Sequence, residues 1–118
     1  MNDYAVISLS DLLTPWEVIE KRLHHAAQAD MAMCLYNPQS RKRTTPLKEA
    51  KSILLHYRKP DTPVGLARNV GRKGESIVIT TLNKMLRYKI DMVTIIIIGN
   101  SSTIVANNYM ITPRGYRL

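Results

Sequence analysis

Residue types that are small or that favour turns follow the apolar segments of this sequence. Residues 37–38 (Asn-Pro) and 99–100 (Gly-Asn) each follow an apolar run, and Gly65 lies in a third junction, residues 61–72. Such residues let a ligand approach backbone N–H and C=O groups directly. Because open α/β sheets bind ligands outside the carboxyl ends of their strands, we expect these junctions to form one crevice. Plain turn chemistry is the alternative, since Gly and Pro end strands in many folds.

No self-sufficient catalytic motif accompanies these junctions. The spacing supports no nucleophile with its base, and the five glycines form no phosphate-binding loop. His24, His25 and His56 have no second Cys or carboxylate at the spacing of metal ligands, so we predict exposed helix residues and no metal site. The expected chemistry is therefore binding.

The net charge of +8 predicts an anionic partner. Nucleic acid is one candidate, and the basic run 41–43 favours it. However, aromatic residues make up 6% of the chain, which is few for the stacking surfaces of single-strand binders. A small molecule with several carboxylates fits the charge equally well.

Arginine is suited to such a ligand because its planar fork binds carboxylates through two hydrogen bonds. The candidates selected by charge are Arg41, Arg43, Arg68, Arg72 and Arg114. Their alternative role is a solvated surface charge.

A polar segment before the first predicted helix contains Ser8, Ser10 and Asp11. Their default role is local hydrogen bonding to backbone.

Two helices and a buried strand are predicted in the first half. Thr14 as N-cap, Pro15 and Glu17 indicate a capped helix that runs to about residue 29. Residues 31–36 are continuously apolar and short, which is typical of an interior strand. Thr45 and Pro46 begin the second helix.

The second half contains more strand than helix. We predict strands at 64–67, 77–81 and 93–98, and a hairpin over 104–111 that turns at Asn107 and Asn108. The fold class is therefore α/β, a single domain with a mixed parallel and antiparallel sheet of about five strands flanked by helices. Residues 1–13 are predicted to be a connecting segment and residues 14–118 the domain.

Length and hydropathy limit the classes of protein to which the chain can belong. At 118 residues the chain fits one domain, and its apolar runs, such as residues 31–36 and 95–98, are far shorter than a membrane span. The first residues do not have the pattern of a signal peptide, so we expect a cytoplasmic, soluble domain without a membrane partner. Cys34, the one cysteine, is expected to pack as a small hydrophobic residue.

Six segments together resemble a known family. They are ISLSDLLTPW (7–16), LYNPQSR (35–41), TPVGLARN (62–69, with Arg72), TTL (80–82), IIGNS (97–101) and TPRGY (112–116). In this order they resemble the C-terminal half of the C(17)-methyltransferases that act on precorrin-3B, within the tetrapyrrole methylase family of cobalamin biosynthesis. The resemblance covers nearly the whole chain.

This resemblance implies methyl transfer from S-adenosylmethionine to C17 of a precorrin macrocycle, coupled to ring contraction. Family members have two α/β domains with the cofactor in the cleft between them. By motif match the implied cofactor-binding residues are Tyr36, Asn37, Gly65, Leu66 and Thr94. The substrate-binding candidates are Ser8, Ser10 and Asp11 by motif, and the five arginines named above by charge. The carboxylates of a precorrin also fit the charge of the chain.

The chain departs from the family in one major respect. The Gly-x-Gly-Pro-Gly cofactor loop and the whole N-terminal domain are missing. We therefore expect a half-enzyme that folds alone, does not methylate alone, and has the N-terminal methylase domain as its partner, with homodimers common in the family. A small basic nucleic-acid-binding module and a purely structural domain are the alternatives.

Overall fold

The computed structural model describes residues 4–39, 44–71, 73–107 and 109–111. In chain order the elements are β1 (Tyr4–Ser8), α1 (Trp16–Gln28), β2 (Ala32–Tyr36), α2 (Thr45–Leu55), β3 (Pro63–Arg68), β4 (Ser76–Thr81), a short 3-10 helix (Met85–Arg87), β5 (Thr94–Ile98), β6 (Ile104–Ala106) and β7 (Tyr109–Ile111). Strands β1 to β5 form one sheet in the order β1-β2-β5-β3-β4, and β6 pairs with β7. The predicted mixed five-stranded sheet with two helices is confirmed.

Strand β5 runs antiparallel to both of its neighbours, β2 and β3, whereas β1 and β2 are parallel. The sheet therefore has two distinct ends. At the Asn37 end, β1, β2 and β3 finish and β5 begins, with Arg68 opposite Thr94. At the Asn100 end, β5 finishes beside the start of β3, where the Gly99 amide donates to the Pro63 carbonyl at 2.9 Å.

This direction of β5 corrects the expected single crevice. Residues 37–38 lie at the Asn37 end, but residues 99–100 lie at the opposite end of the sheet. An apolar strand buried in a sheet looks the same in sequence whether it runs parallel or antiparallel, so the composition of β5 did not reveal its direction.

Two local predictions are also corrected. Residues 1–13 were predicted to be a connecting segment, but Tyr4–Ser8 forms β1, a parallel edge strand on β2. The N-cap of α1 is Pro15 and not Thr14, and no side chain caps it. Pro15 is extended, and its carbonyl accepts hydrogen bonds from the amides of Val18 and Ile19, so the helix begins one residue later than predicted.

One face of the sheet carries the core. The helices bury Ile19 and Leu23 from α1 and Leu47 and Leu54 from α2 against that face. Each strand supplies alternate residues to it, which follows from the two-residue period of a strand. The buried members of this set are Ile7, Met33, Leu35, Val64, Leu66, Ile96 and Ile98, and Val78 of β4 is partly buried against them.

The opposite face, here called the open face, has no helix over it within the described residues. Register places on it Tyr4, Val6, Ser8, Ala32, Cys34, Tyr36, Pro63, Gly65, Ala67, Ile77, Ile79, Thr81, Ile95 and Ile97, none of which is charged. Val6 is 66% exposed and Ile77 is 67% exposed. The predicted hairpin forms with Asn107 at φ 51°, and Met110 from it covers Gly65. The open face is therefore apolar and only partly covered.

Candidate functional site

A pocket of about 270 Å³ lies at the Asn37 end of the sheet. It is lined by Tyr36, Asn37, Asn69, Val70, Met92, Val93, Thr94 and Ile95. None of these side chains carries a charge. Three of the five residues implied to bind cofactor, Tyr36, Asn37 and Thr94, are thus brought together by the fold.

Asn37 joins this pocket to the segment that follows β1. Its backbone is in the left-handed region at φ 51°, which Asn tolerates better than most residues. Its amide Nδ2 donates to Ser8 Oγ at 3.3 Å, and Ser8 Oγ also accepts from the Ser10 amide at 3.2 Å. The Leu9 amide donates to the Tyr36 carbonyl at 3.0 Å. Ser8 and Ser10 therefore adjoin the candidate cofactor residues, and Asp11 is exposed beyond them.

Thr94 is buried at the start of β5, where Asp91 fixes it. The Thr94 hydroxyl donates to Asp91 Oδ1 and accepts from the Asp91 amide, both at 3.1 Å. With these two bonds formed, the hydroxyl proton is already used, so Thr94 Oγ1 could act toward a ligand only as an acceptor.

Arg68 completes this network from the end of β3. Its Nε and Nη2 both donate to Asp91 Oδ2, at 3.0 and 2.7 Å. Asp91 Oδ1 also accepts from the Val93 amide at 3.1 Å. Asp91, which sequence analysis missed, thereby connects the end of β3 to the start of β5. No local motif marks it, because its main partner lies 23 residues away along the chain.

Hydrogen bonding from Arg68 lowers the pKa of Asp91, and the Val93 and Thr94 bonds act in the same direction. A carboxyl group with a lowered pKa in the folded state stabilises the fold above its unfolded pKa, and this contribution disappears as the pH falls through the folded value. We expect Asp91→Asn to lower the free energy of unfolding by about 1 kcal/mol at pH 7.

The difference between Asp91→Asn and the unsubstituted chain should shrink below about pH 4, as the native carboxyl becomes neutral. Urea unfolding of both proteins between pH 7 and pH 2.5 measures this. A difference that stays constant over that range would show that Asp91 does not act through its charge.

A second pocket at the same end, of about 200 Å³, shares Thr94 with the first. Its lining is Leu66, Arg68, Ser76, Val78, Tyr88, Lys89 and Thr94. It contains Leu66, another implied cofactor residue, and Arg68, a substrate candidate. In contrast to the first pocket it has two cationic side chains.

The structure places the other predicted residues apart from these pockets. Gly65 lies in the interior of β3, and a Cβ atom there would be 3.1 Å from Met110 Sδ. It lines neither pocket at the Asn37 end. Arg41, Arg43, Arg72 and Arg114 lie outside the described residues, so their roles stay predictions.

A third pocket, of about 520 Å³, lies at the Asn100 end, where two of the predicted junctions meet: Asp61, Thr62 and Pro63 from residues 61–72, and Asn100 from residues 99–100. Arg58 forms part of its wall and is 7% exposed. Its Nη1 donates to the Gly99 carbonyl at 2.7 Å, and its Nη2 donates to the Met31 carbonyl. Burial lowers the pKa of this guanidinium, and the charge of Asp30 opposes that shift. In the sequence Arg58 looks like any charged residue after a helix.

Within the part of the chain that the structure describes, no group of His, Cys, Asp or Glu side chains is arranged to hold a metal ion. Over the same residues, no helix has the length and hydropathy needed to cross a membrane.

Two curated relatives match essentially the whole chain. The cobalt-factor III methyltransferase of Priestia megaterium is 54% identical over 117 residues, which are 99% of this chain and 22% of that protein. The probable cobalt-factor III C(17)-methyltransferase of Salmonella typhimurium (strain LT2) is 48% identical over 118 residues, which are 100% of this chain and 49% of that protein. The chain thus spans half or less of the length of these relatives. No protein-family model matches it.

One solved structure supports the same relationship, and a second shows the fold alone. The methyltransferase CobJ has a TM-score of 0.82 and 34% identity, over 95% of this chain and 47% of that chain. A uroporphyrin-III C-methyl transferase from Thermus thermophilus, complexed with S-adenyl homocysteine, has a TM-score of 0.58 at 14% identity over 82% of this chain and 41% of its own, a likeness of fold alone.

These relatives confirm the resemblance drawn from the six motifs and give no support to the nucleic-acid-binding alternative. The chain belongs to the tetrapyrrole methylase family, in which it corresponds to one domain, the C-terminal one, of the cobalt-factor III C(17)-methyltransferases.

Proposed function

We propose that the chain is the C-terminal, cofactor-binding half of a methyltransferase that uses S-adenosylmethionine to methylate C17 of cobalt-factor III or of its metal-free counterpart, precorrin-3B. The observation that carries the proposal is identity of 48–54% to such enzymes across the whole chain. The pocket formed by Tyr36, Asn37 and Thr94 supplies a place for the cofactor.

The pocket at the Asn37 end fits one part of this cofactor. Its lining is uncharged, with the Tyr36 ring and the Asn37 amide suited to a neutral adenosine. Small-molecule sites usually enclose roughly 300 to 1,000 Å³, and 270 Å³ is less than that range. We infer that the other half of the methyltransferase supplies the rest of the site, in agreement with the half-length match.

Bound S-adenosylmethionine would supply an electrophilic methyl group on a sulfonium. The residues of this chain bind and orient it: Asn37 and Tyr36 line the pocket, and Asp91 holds Thr94 in the wall. Transfer between two held reactants gains from proximity and orientation, which contribute up to about 7 to 11 kcal/mol in favourable cases. The proposal therefore requires no general base from this chain.

The partners follow from the same argument. They are a tetrapyrrole substrate and the remaining half of the methyltransferase, the N-terminal methylase domain. The uncharged open face offers a surface for a protein neighbour, and a homodimer and a cytoplasmic location are further parts of this proposal.

Reconstitution tests the function. The chain alone should transfer no methyl group from S-adenosylmethionine to cobalt-factor III. Replacement of the matching half of the Salmonella relative by this chain should give an active chimera, because the two are 48% identical there. Robust turnover by the chain alone would contradict its role as a half-enzyme. A folded but inactive chimera would contradict the assigned reaction.

The cofactor site has its own test with a matched control. Asn37→Gly removes the amide but keeps the left-handed backbone accessible, and it should weaken binding of S-adenosylhomocysteine to the chimera about tenfold. Asn107→Gly makes the same change at φ 51° in the distant hairpin turn and should leave binding unchanged. Equal effects of the two variants in calorimetric titrations would rule out a cofactor role for Asn37.

A further inference from the structure

The two pockets at the Asn37 end differ in charge. The 270 Å³ pocket has an uncharged lining, whereas the 200 Å³ pocket has Arg68 and Lys89 in its wall. Thr94 lines both pockets and so marks the boundary between them. By register, Tyr36 and Ile95 place the first pocket toward the open face and Leu66 places the second toward the core face, so a ligand that reaches both would pass around this end of the sheet at Thr94.

The charge of the second pocket is not fully neutralised. Among the described residues, Asp91 is the only carboxylate that pairs with Arg68, and Lys89 has no ion-pair partner. Arg68 uses Nε and Nη2 for this pair, and within the same residues its Nη1 donates to no protein group. One net positive charge and free N–H donors therefore remain at the wall of the pocket.

Asp91 also holds these donors in place. It binds Arg68 through Oδ2 while its Oδ1 is held by the Val93 amide and the Thr94 hydroxyl. The guanidinium is thus fixed against β3 and β5, with its side chain 30% exposed. A fixed arginine loses less conformational entropy when it binds a carboxylate than a mobile one. Tyr88 and Ser76 add hydroxyl groups to the same lining.

We propose that the pocket lined by Arg68, Ser76, Tyr88 and Lys89 is a carboxylate-binding subsite, with Lys89 and the Arg68 Nη1 group as its main donors. The location next to the candidate cofactor pocket rests on the proposed function; the carboxylate chemistry rests on the pocket alone. Two sources could supply the carboxylate: an acetate or propionate group of the tetrapyrrole, or the amino-acid portion of the cofactor.

Propionate tests the subsite independently of any methyltransferase activity. Titration of the ¹⁵N-labelled chain with sodium propionate, against sodium chloride at equal ionic strength, should shift the amides of Ser76, Tyr88 and Lys89 in a saturable manner. Lys89→Gln should weaken this binding about fivefold, the effect of one partly exposed charge pair. Lys84→Gln is the matched control, because Lys84 is exposed and close in sequence but lies outside the pocket lining.

Two further probes, titrated into the chain and into the chimera, distinguish the sources. If the tetrapyrrole supplies the carboxylate, Lys89→Gln should weaken binding of uroporphyrin about fivefold and leave S-adenosylhomocysteine unaffected. If the cofactor supplies it, Lys89→Gln should weaken S-adenosylhomocysteine but not methylthioadenosine, which has the nucleoside without the amino-acid carboxylate.

The outcomes separate the two proposals. Propionate binding that Lys89→Gln weakens supports the subsite, whether or not the larger ligands bind. Absence of binding by both uroporphyrin and S-adenosylhomocysteine would count against the proposed function and not against the subsite. Absence of propionate shifts at these amides, or equal effects of Lys89→Gln and Lys84→Gln, would overturn the subsite.

Discussion

Arg58→Ala should lower the free energy of unfolding of the chain by about 3 kcal/mol, since hydrogen bonds from charged donors contribute about 1.5–3 kcal/mol each. Arg58 connects three parts of the fold: it lies just after α2, and it donates to the carbonyls of Gly99 after β5 and Met31 before β2. Its removal leaves both carbonyls without this donor at the Asn100 end. A loss of this size is a large part of the roughly 5–15 kcal/mol typical of a small domain.

Urea unfolding followed by circular dichroism measures this change. Arg58→Lys keeps the charge, but an ammonium group has no planar fork with which to reach both carbonyls. We therefore expect the free energy of unfolding of Arg58→Lys to lie between the values for the unsubstituted chain and Arg58→Ala. Arg87→Ala is the control, because Arg87 is exposed in the 3-10 helix and should change stability by less than about 0.5 kcal/mol. Equal midpoints for Arg58→Ala and Arg87→Ala would show that the buried guanidinium contributes nothing net.

Gly99→Ala should destabilise the chain by about 2 kcal/mol, the usual scale for an overpacked site. A Cβ atom at this position would lie 2.7 Å from Thr103 Cβ and 2.8 Å from Thr103 Cγ2 and Oγ1. The backbone of Gly99 cannot move away easily, because its amide donates to Pro63 and its carbonyl accepts from Arg58. Thr103 is also held, since its Oγ1 accepts from the Asn100 amide at 2.9 Å.

A double-mutant cycle identifies the cause. Thr103→Gly removes every clashing atom, so the Gly99→Ala/Thr103→Gly protein should be more stable than the sum of the single effects predicts, by about 1 kcal/mol or more. Gly65→Ala serves for comparison and should cost less, because the one tight contact of its Cβ would be the flexible Met110 side chain at 3.1 Å, and Ile97 Cβ lies at an ordinary 3.8 Å. Additive effects in the cycle would show that the clash with Thr103 is relieved in some other way.

Much of the fold could be predicted from local patterns. The apolar faces of α1 and α2 recur with helical spacing, and β2 is a short apolar run, so tertiary contacts agree with the local preference. Strand β1 was missed because it is a short edge strand with one face exposed, although Tyr4, Val6 and Ile7 are residues that favour strands. The direction of β5 depends on which strands it lies between, which no local pattern specifies.

The candidate site was predictable to the extent that its residues end or begin neighbouring strands. Tyr36, Asn37 and Thr94 meet because β2 ends where β5 begins. Asp91 and Arg58 could not be found in this way, since the arginine partner of Asp91 and the carbonyl partners of Arg58 lie more than 20 residues away and only the folded chain brings them close. Both look in the sequence like ordinary surface charges.

The open face has a consequence for how the molecules behave toward one another in solution. At low ionic strength the net charge of +8 keeps separate copies apart over distances near the Debye length, about 10 Å at 0.1 M salt and about 3 Å at 1 M. Added salt weakens this repulsion, but it does not weaken the attraction between uncharged faces that carry Val6, Ile77 and Ile97, and sulfate strengthens it. We therefore expect the colloidal stability of the isolated chain to depend on its charge, and expect the chain to stay dispersed best in dilute buffers.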